Sequence, residues 1–135
     1  MASEPSAAAV RSGFRILIAE DDSPLRGMLR KALVTAGFRV DDVPDGDAAR
    51  EAYTARCPDV LLADLVMPGL NGQELATACR EHCPHTIMIF MSGYSEEELH
   101  ELDIKQVVFL PKPIQPADLI RVLDRLLEGR PPSVD

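Results

Sequence analysis

The chain has 135 residues, 46% of them hydrophobic, which fits one globular domain able to build a core without staples. A formal net charge of −8 argues against direct binding of nucleic-acid phosphates or of an anionic membrane. No apolar run approaches the ~20 residues of a membrane span, and the N-terminus lacks the basic-then-apolar pattern of a signal peptide. Three cysteines, Cys57, Cys79 and Cys83, without framework spacing point to a reducing compartment, hence the cytoplasm.

Met1 to Gly13 is rich in Ala, Ser and Pro and reads as a loose tail. "FRILIA" (Phe14 to Ala19) is a short apolar strand that runs into "EDDSP". Ser23 is a suitable N-cap and Pro24 fits a first helical position. Leu25, Met28, Leu29, Ala32 and Leu33 then recur at helical spacing, and Gly37 closes the helix. "FRVDDV" (Phe38 to Val43) is a second strand, less apolar and suited to a sheet edge. "PDGD" is a turn before the short helix "AAREAYTAR", which ends at Cys57-Pro58.

Val60 to Ala63 is apolar on both faces, as in the buried middle of a parallel sheet. Asp64 stands at its end, and Met67-Pro68-Gly69 turns the chain away, which leaves Asp64 open to solvent. Asn71 caps a helix that runs to about Cys83. "TIMIFM" (Thr86 to Met91) is a fourth strand, and Ser95 with Glu98 makes a capping box for a short helix. "VVFL" (Val107 to Leu110) is a fifth strand. After "PKPIQP", Leu119, Val122, Leu123 and Leu126 line one face of a last helix, which ends near Gly129.

Strand and helix alternate five times, a (βα)5 pattern. Crossovers of this length imply an α/β fold: a doubly wound five-stranded parallel sheet, flavodoxin-like, in the order 2-1-3-4-5. That order brings Glu20, Asp21 and Asp22, after the first strand, beside Asp64, after the third. Ser92 and Lys112 close the fourth and fifth strands at the same rim. Gathered carboxylates repel one another, and a hard divalent cation relieves this; Mg²⁺ needs only one or two of them plus phosphate oxygens. A carboxylate is also a nucleophile in aspartyl-phosphate chemistry, and a lysine and a hydroxyl neutralise phosphoryl oxygens. Each residue has a plainer reading taken singly: a solvated acidic loop, a turn aspartate, a turn serine, a loop lysine, and a core aromatic at Phe109. Cys79 and Cys83, four apart with His82 and His85 nearby, match no closed zinc pattern and read as ordinary thiols.

"ILIAEDD", "LLADLVMPGLNG", "IFMSGY" and "FLPKPI" occur in order along nearly the whole chain. With them the chain resembles a receiver domain of the response-regulator family of two-component signalling, the CheY-like superfamily. The resemblance implies a receiver domain over residues 14–129, with a disordered N-terminal tail over 1–13 and a C-terminal tail over 130–135. It implies that Asp64 accepts a phosphoryl group from a histidine kinase or a histidine phosphotransfer protein. Mg²⁺, or Mn²⁺, would be held by Glu20, Asp21, Asp64 and the backbone carbonyl of Val66. Ser92 and Lys112 would read the phosphoryl group, with Ser92 and Phe109 as the switch pair and Lys112-Pro113 as a cis bond. The implied role is that of a phosphoacceptor signalling domain and not an enzyme, with intrinsic autophosphorylation and autodephosphorylation. Its output would be an unidentified downstream protein, reached as a monomer or a phosphorylation-dependent dimer.

The sequence departs from the family pattern in three places. The stretch from Ser92 to Lys112 is short, which predicts a stunted helix there. Val66 and Tyr94 offer no carboxylate or amide to orient a hydrolytic water, which predicts a long-lived phospho-form. Phe109 lacks the hydroxyl of a tyrosine. Other classes remain open on the residues: a receiver module of a hybrid histidine kinase, an aspartyl-phosphate phosphohydrolase, or a flavodoxin-like electron carrier. Val66 stands where the phosphohydrolases carry a second aspartate, and the acidic loop after the first strand repels a flavin phosphate.

Overall fold

The computed structural model describes residues 4–68 and 71–132. Gly69 of the expected Met67-Pro68-Gly69 turn lies outside them. Five strands alternate with helices after an initial helix: α1 (Ala7–Arg11), β1 (Arg15–Ala19), α2 (Ser23–Ala36), β2 (Arg39–Val43), α3 (Gly46–Ala55), β3 (Val60–Asp64), α4 (Gly72–His82), β4 (Ile87–Ser92), α5 (Glu96–Leu102), β5 (Val108–Pro111) and α6 (Pro116–Leu127). The strands form one sheet in the order β2-β1-β3-β4-β5, and every pairing is parallel. This is the doubly wound order expected from the crossover lengths.

Period-two alternation divides the core between the two faces of the sheet. Ile16, Ile18, Val60, Leu62, Ile89 and Met91 pack with Leu29 and Leu33 of α2 and Leu119, Leu123 and Leu127 of α6. Leu17, Leu61, Ala63, Met88 and Phe90 pack with Ala49 and Tyr53 of α3 and Leu75, Ala76 and Cys79 of α4. All five residues of β3 are buried, whereas β2, at the sheet edge, has none fully buried. That contrast follows from Leu and Val on both faces of β3 against Asp41 and Asp42 in β2.

Helix starts follow the side-chain chemistry. Asn71 Oδ1 accepts from the N–H groups of Gln73 and Glu74, and Ser95 with Glu98 closes a reciprocal capping box. The cap of α2 is Asp22 rather than Ser23, and its side chain makes no capping bond. Pro24 needs no N–H partner in that first turn, so one of the donors a cap would satisfy is absent. The expected short helix between Ser92 and Lys112 is α5, of 7 residues.

Two regions differ from the sequence reading. Residues Ala7–Arg11 form a helix where a loose tail is predicted. Arg11 anchors it through two bonds to the Asp124 carboxylate, at 3.0 and 2.7 Å, and one to the Ala36 carbonyl at 3.2 Å. Cys57 and Cys83 are joined in a disulfide, with Cα atoms 5.6 Å apart, and only Cys79 is a free thiol. The segments leading into β3 and β4 are adjacent in the sheet, a relationship that spacing along the chain does not reveal. Among the described residues, no helix is long and apolar enough to cross a membrane.

Candidate functional site

The carboxyl ends of β1, β3 and β4, together with the residue after β5, converge. Asp64 ends β3 and is 6% exposed, so it is far less open than the turn after it implied. Its Oδ1 accepts from the Val66 N–H at 3.1 Å and its Oδ2 from the Lys112 ammonium at 2.7 Å. Lys112 is placed by continuation of the ladder, since its N–H donates to the Ser92 carbonyl at 2.8 Å. The Lys112-Pro113 bond is cis, as the resemblance implies.

Glu20 follows β1 and is fully buried. Its Oε2 accepts from the Asp22 N–H at 3.3 Å, while Oε1 lies 3.7 Å from Lys112 Nζ and has no hydrogen-bond partner. Burial, then the close, negatively charged Asp64 carboxylate, push the Glu20 carboxyl up to about 7. For Lys112, burial works against the ammonium, but Asp64 and then Glu20 outweigh it and raise its pKa above the ordinary lysine value. One ammonium thus serves two buried carboxylates.

Glu20, Asp21 and Asp64 offer oxygens that all lie within 4.8 Å of one another. The unpartnered Glu20 oxygen and an all-oxygen, acidic donor set fit a hard divalent cation. Asp21 is exposed, so the cluster opens to solvent on its side.

Ser92 is the last residue of β4 and 2% exposed; its oxygen accepts from the Tyr94 N–H at 2.9 Å. That contact leaves the hydroxyl proton free to donate elsewhere. Phe109 is half-buried, with its ring centroid 6.4 Å from that of Phe90, and it borders a cleft of about 470 Å³ with Tyr94, Leu99, His100 and Ile104. Val66 and Tyr94 are exposed near the acidic cluster, at 56% and 39%.

The structure therefore brings Glu20, Asp21, Asp64 and Lys112 together, with Ser92 bonded to the Lys112 backbone and Phe109 set in the adjoining cleft. Arg26 went unassigned in the sequence. Its guanidinium donates to the Glu20 carbonyl at 2.7 Å and to Asp42 at 3.2 Å, which holds the loop that carries the acids. The available signal was a basic residue one turn into the helix that follows an acidic run.

Residues 16–124 match the response regulator receiver domain family. The chain belongs to that family. Its response-regulator relatives include the receiver protein CpdR of Brucella abortus, 35% identical over 84% of this chain and 96% of that protein. The transcriptional regulator NtrC of Klebsiella pneumoniae is 32% identical over 82% of this chain, which spans only 24% of that regulator. Among solved structures, the chemotaxis protein CheY4 of Vibrio cholerae superposes with a TM-score of 0.77 at 25% identity, over 84% of this receiver and 98% of that chain. The receiver fold and its place in two-component signalling are thus established from family, relatives and structure together.

Proposed function

We propose that this receiver accepts a phosphoryl group on Asp64, from a histidine-kinase phosphohistidine or a histidine phosphotransfer protein, and thereby changes its affinity for a downstream protein. The observation that carries this reading is the Lys112–Asp64 contact at 2.7 Å beside the unpartnered Glu20 oxygen. It combines a nucleophilic carboxylate, a cation to receive phosphoryl charge, and an acidic cluster with spare ligand capacity.

An Asp64 oxygen attacks phosphorus as the bond from phosphorus to the donor imidazole nitrogen breaks, and that nitrogen keeps the electron pair. The Val66 N–H, 3.1 Å from Oδ1, orients the carboxylate for this approach. Lys112 shifts its ammonium from the carboxylate to a phosphoryl oxygen, and the Ser92 hydroxyl donates to another. Bound Mg²⁺, or Mn²⁺ in its place, held by Glu20, Asp21, Asp64 and the Val66 carbonyl, would neutralise charge between the carboxylates and the phosphoryl group. As Ser92 turns, the Phe109 ring has room to move within its cleft, which couples the phosphoryl group to the surface of α5 and β5. Val66 and Tyr94 carry no carboxylate or amide to orient a hydrolytic water, which favours a long-lived acyl phosphate. The receiver would reach that downstream protein as a monomer or as a phosphorylation-dependent dimer.

The test is intact mass after incubation with Mg²⁺ and acetyl phosphate. A phosphate-sized increment in the wild type and none in Asp64→Asn is the expected result. An unmodified wild type, or equal modification of Asp64→Asn, removes Asp64 as acceptor. Phosphate release within seconds removes the long-lived form.

A further inference from the structure

A second cluster of chemically versatile side chains lies at the opposite end of the sheet. Cys57 precedes β3 and Cys83 precedes β4, at the strand ends remote from Asp64. A sulfur from each and an imidazole nitrogen of His82 all lie within 4.8 Å of one another. We infer that Cys57, Cys83 and His82 form a redox-gated metal site, closed as a disulfide and taking Zn²⁺ as the dithiol.

Three features support it. The two segments are held together without the disulfide: Thr86 Oγ1 donates to the Pro58 carbonyl at 2.6 Å, and the Ile87 N–H to the Asp59 carbonyl at 2.9 Å. Reduction therefore leaves the sulfurs facing each other. Tetrahedral zinc needs them about 3.7 Å apart, a small opening from bonding distance. Each sulfur also has a carbonyl in reach for a thiol proton, Tyr53 at 3.5 Å from Cys83 Sγ and His82 at 3.8 Å from Cys57 Sγ, so the reduced form buries no stranded S–H. Finally, the cluster opens to solvent on the side of His82 and Cys57, while Cys83 is buried. His82 is exposed, Cys57 is partly open, and both cysteines line a cleft of about 460 Å³ with His85 and Arg130. Cys79 is excluded, being fully buried with its thiol pushed up to about 11 by that burial.

The steps balance. A dithiol reductant supplies two electrons and two protons, is itself oxidised to a disulfide, and leaves Cys57 and Cys83 as thiols. Zn²⁺ then displaces both thiol protons and takes His82 as a neutral ligand, with solvent in the fourth position. The site is remote from Asp64, so its failure leaves the phosphoacceptor reading untouched.

Co²⁺ serves as a spectroscopic stand-in, because only thiolate ligation gives a near-ultraviolet charge-transfer band; the acidic cluster gives none. The full chain is titrated before and after treatment with a phosphine reductant, which adds no competing thiol. Alkylation of the unfolded protein counts thiols by mass. The expected result is one reactive thiol and no band in the air-oxidised chain, then three thiols and a band saturating at one equivalent after reduction. Cys57→Ser abolishes the band, and His82→Ala, its fold checked by circular dichroism because the ring also meets the Thr54 carbonyl, weakens Zn²⁺ binding at least about tenfold. Three thiols in the air-oxidised chain, no band after reduction, a band that survives Cys57→Ser, or unchanged affinity in His82→Ala would overturn the proposal.

Discussion

The ammonium of Lys112 lies 2.7 Å from Asp64 Oδ2, an ion pair between residues that close two non-adjacent strands, β3 and β5, across β4. Glu20, 3.7 Å from the same ammonium, must share it, and its carboxyl is raised to about 7 by burial and by Asp64. A carboxyl raised in the folded state binds its proton more tightly there than in the unfolded chain. Its contribution to stability is complete below the unfolded value of about 4.5 and is lost as pH rises through about 7. In chelator-treated protein, Glu20→Gln should therefore match the wild type near pH ~5 and exceed it near pH ~8, by on the order of 2 kcal/mol. Paired thermal melts at the two pH values check this. A constant difference between the variants would mean that Glu20 ionises as freely in the fold as outside it.

Mg²⁺ should stabilise the protein, because a ligand of the native state alone shifts the unfolding equilibrium. At a hundredfold excess over Kd the expected gain is about 2.7 kcal/mol. Asp21→Asn and Asp64→Asn should each lose most of it, since Glu20, Asp21 and Asp64 are the clustered donors. Melting with Mg²⁺ against chelator reads the effect. Full stabilisation of both variants would place the cation elsewhere.

Lys112→Met removes the cation that both buried carboxylates face. The Lys112 side chain is 31% exposed and Asp64 8%, so solvent moderates the loss. The expected destabilisation in metal-free protein near neutral pH is about 1–2 kcal/mol, below the figure for a fully buried pair. Urea melts at constant m-value measure it. No change in midpoint would show that water and backbone donors already satisfy Asp64.

The acidic site was readable in the sequence because its residues close strands. Once crossover length set the order β2-β1-β3-β4-β5, Glu20, Asp21, Asp64, Ser92 and Lys112 had to meet at one rim. What the sequence concealed depends on contacts between distant segments. Five residues such as Ala7–Arg11 cannot sustain a helix alone; the bond that holds α1 reaches Asp124, 113 residues away. The Cys57–Cys83 pairing spans 26 residues and follows from the adjacency of β3 and β4, while the nearer pair, Cys79 and Cys83, shares one helical turn and stays apart. Burial was equally hidden: the polar run Glu20-Asp21-Asp22 contains one fully buried acid beside two exposed ones.

Arg11 carries the attachment of α1. Besides Asp124 and the Ala36 carbonyl, its guanidinium lies 5.9 Å from the centre of the Phe38 ring. Arg11→Ala should lower stability by about 1 kcal/mol and speed amide exchange in α1 without affecting β1 to β5. A double-mutant cycle with Asp124→Ala should give a coupling of about 0.5–1 kcal/mol, as the pair is partly exposed. Unchanged exchange in α1 would mean that another contact holds the helix.

Gly37 joins two constraints that one substitution separates. It ends α2 with φ +113°, in the left-handed region, and a Cβ there would lie 2.7 Å from the Ala8 carbonyl oxygen of α1. Gly37→Ala should thus cost the backbone strain of a left-handed alanine and also push α1 off the surface. The expected loss is about 1–2 kcal/mol, with exchange in α1 accelerated as in Arg11→Ala. Deleting residues 1–12 removes the clash and leaves the strain. In that shortened background the same substitution should cost less, by the share belonging to the contact with Ala8. Urea melts of the four proteins, with and without the deletion, give that share directly. An identical cost in both backgrounds would mean that α1 yields to the new methyl group freely and that the left-handed conformation alone demands glycine.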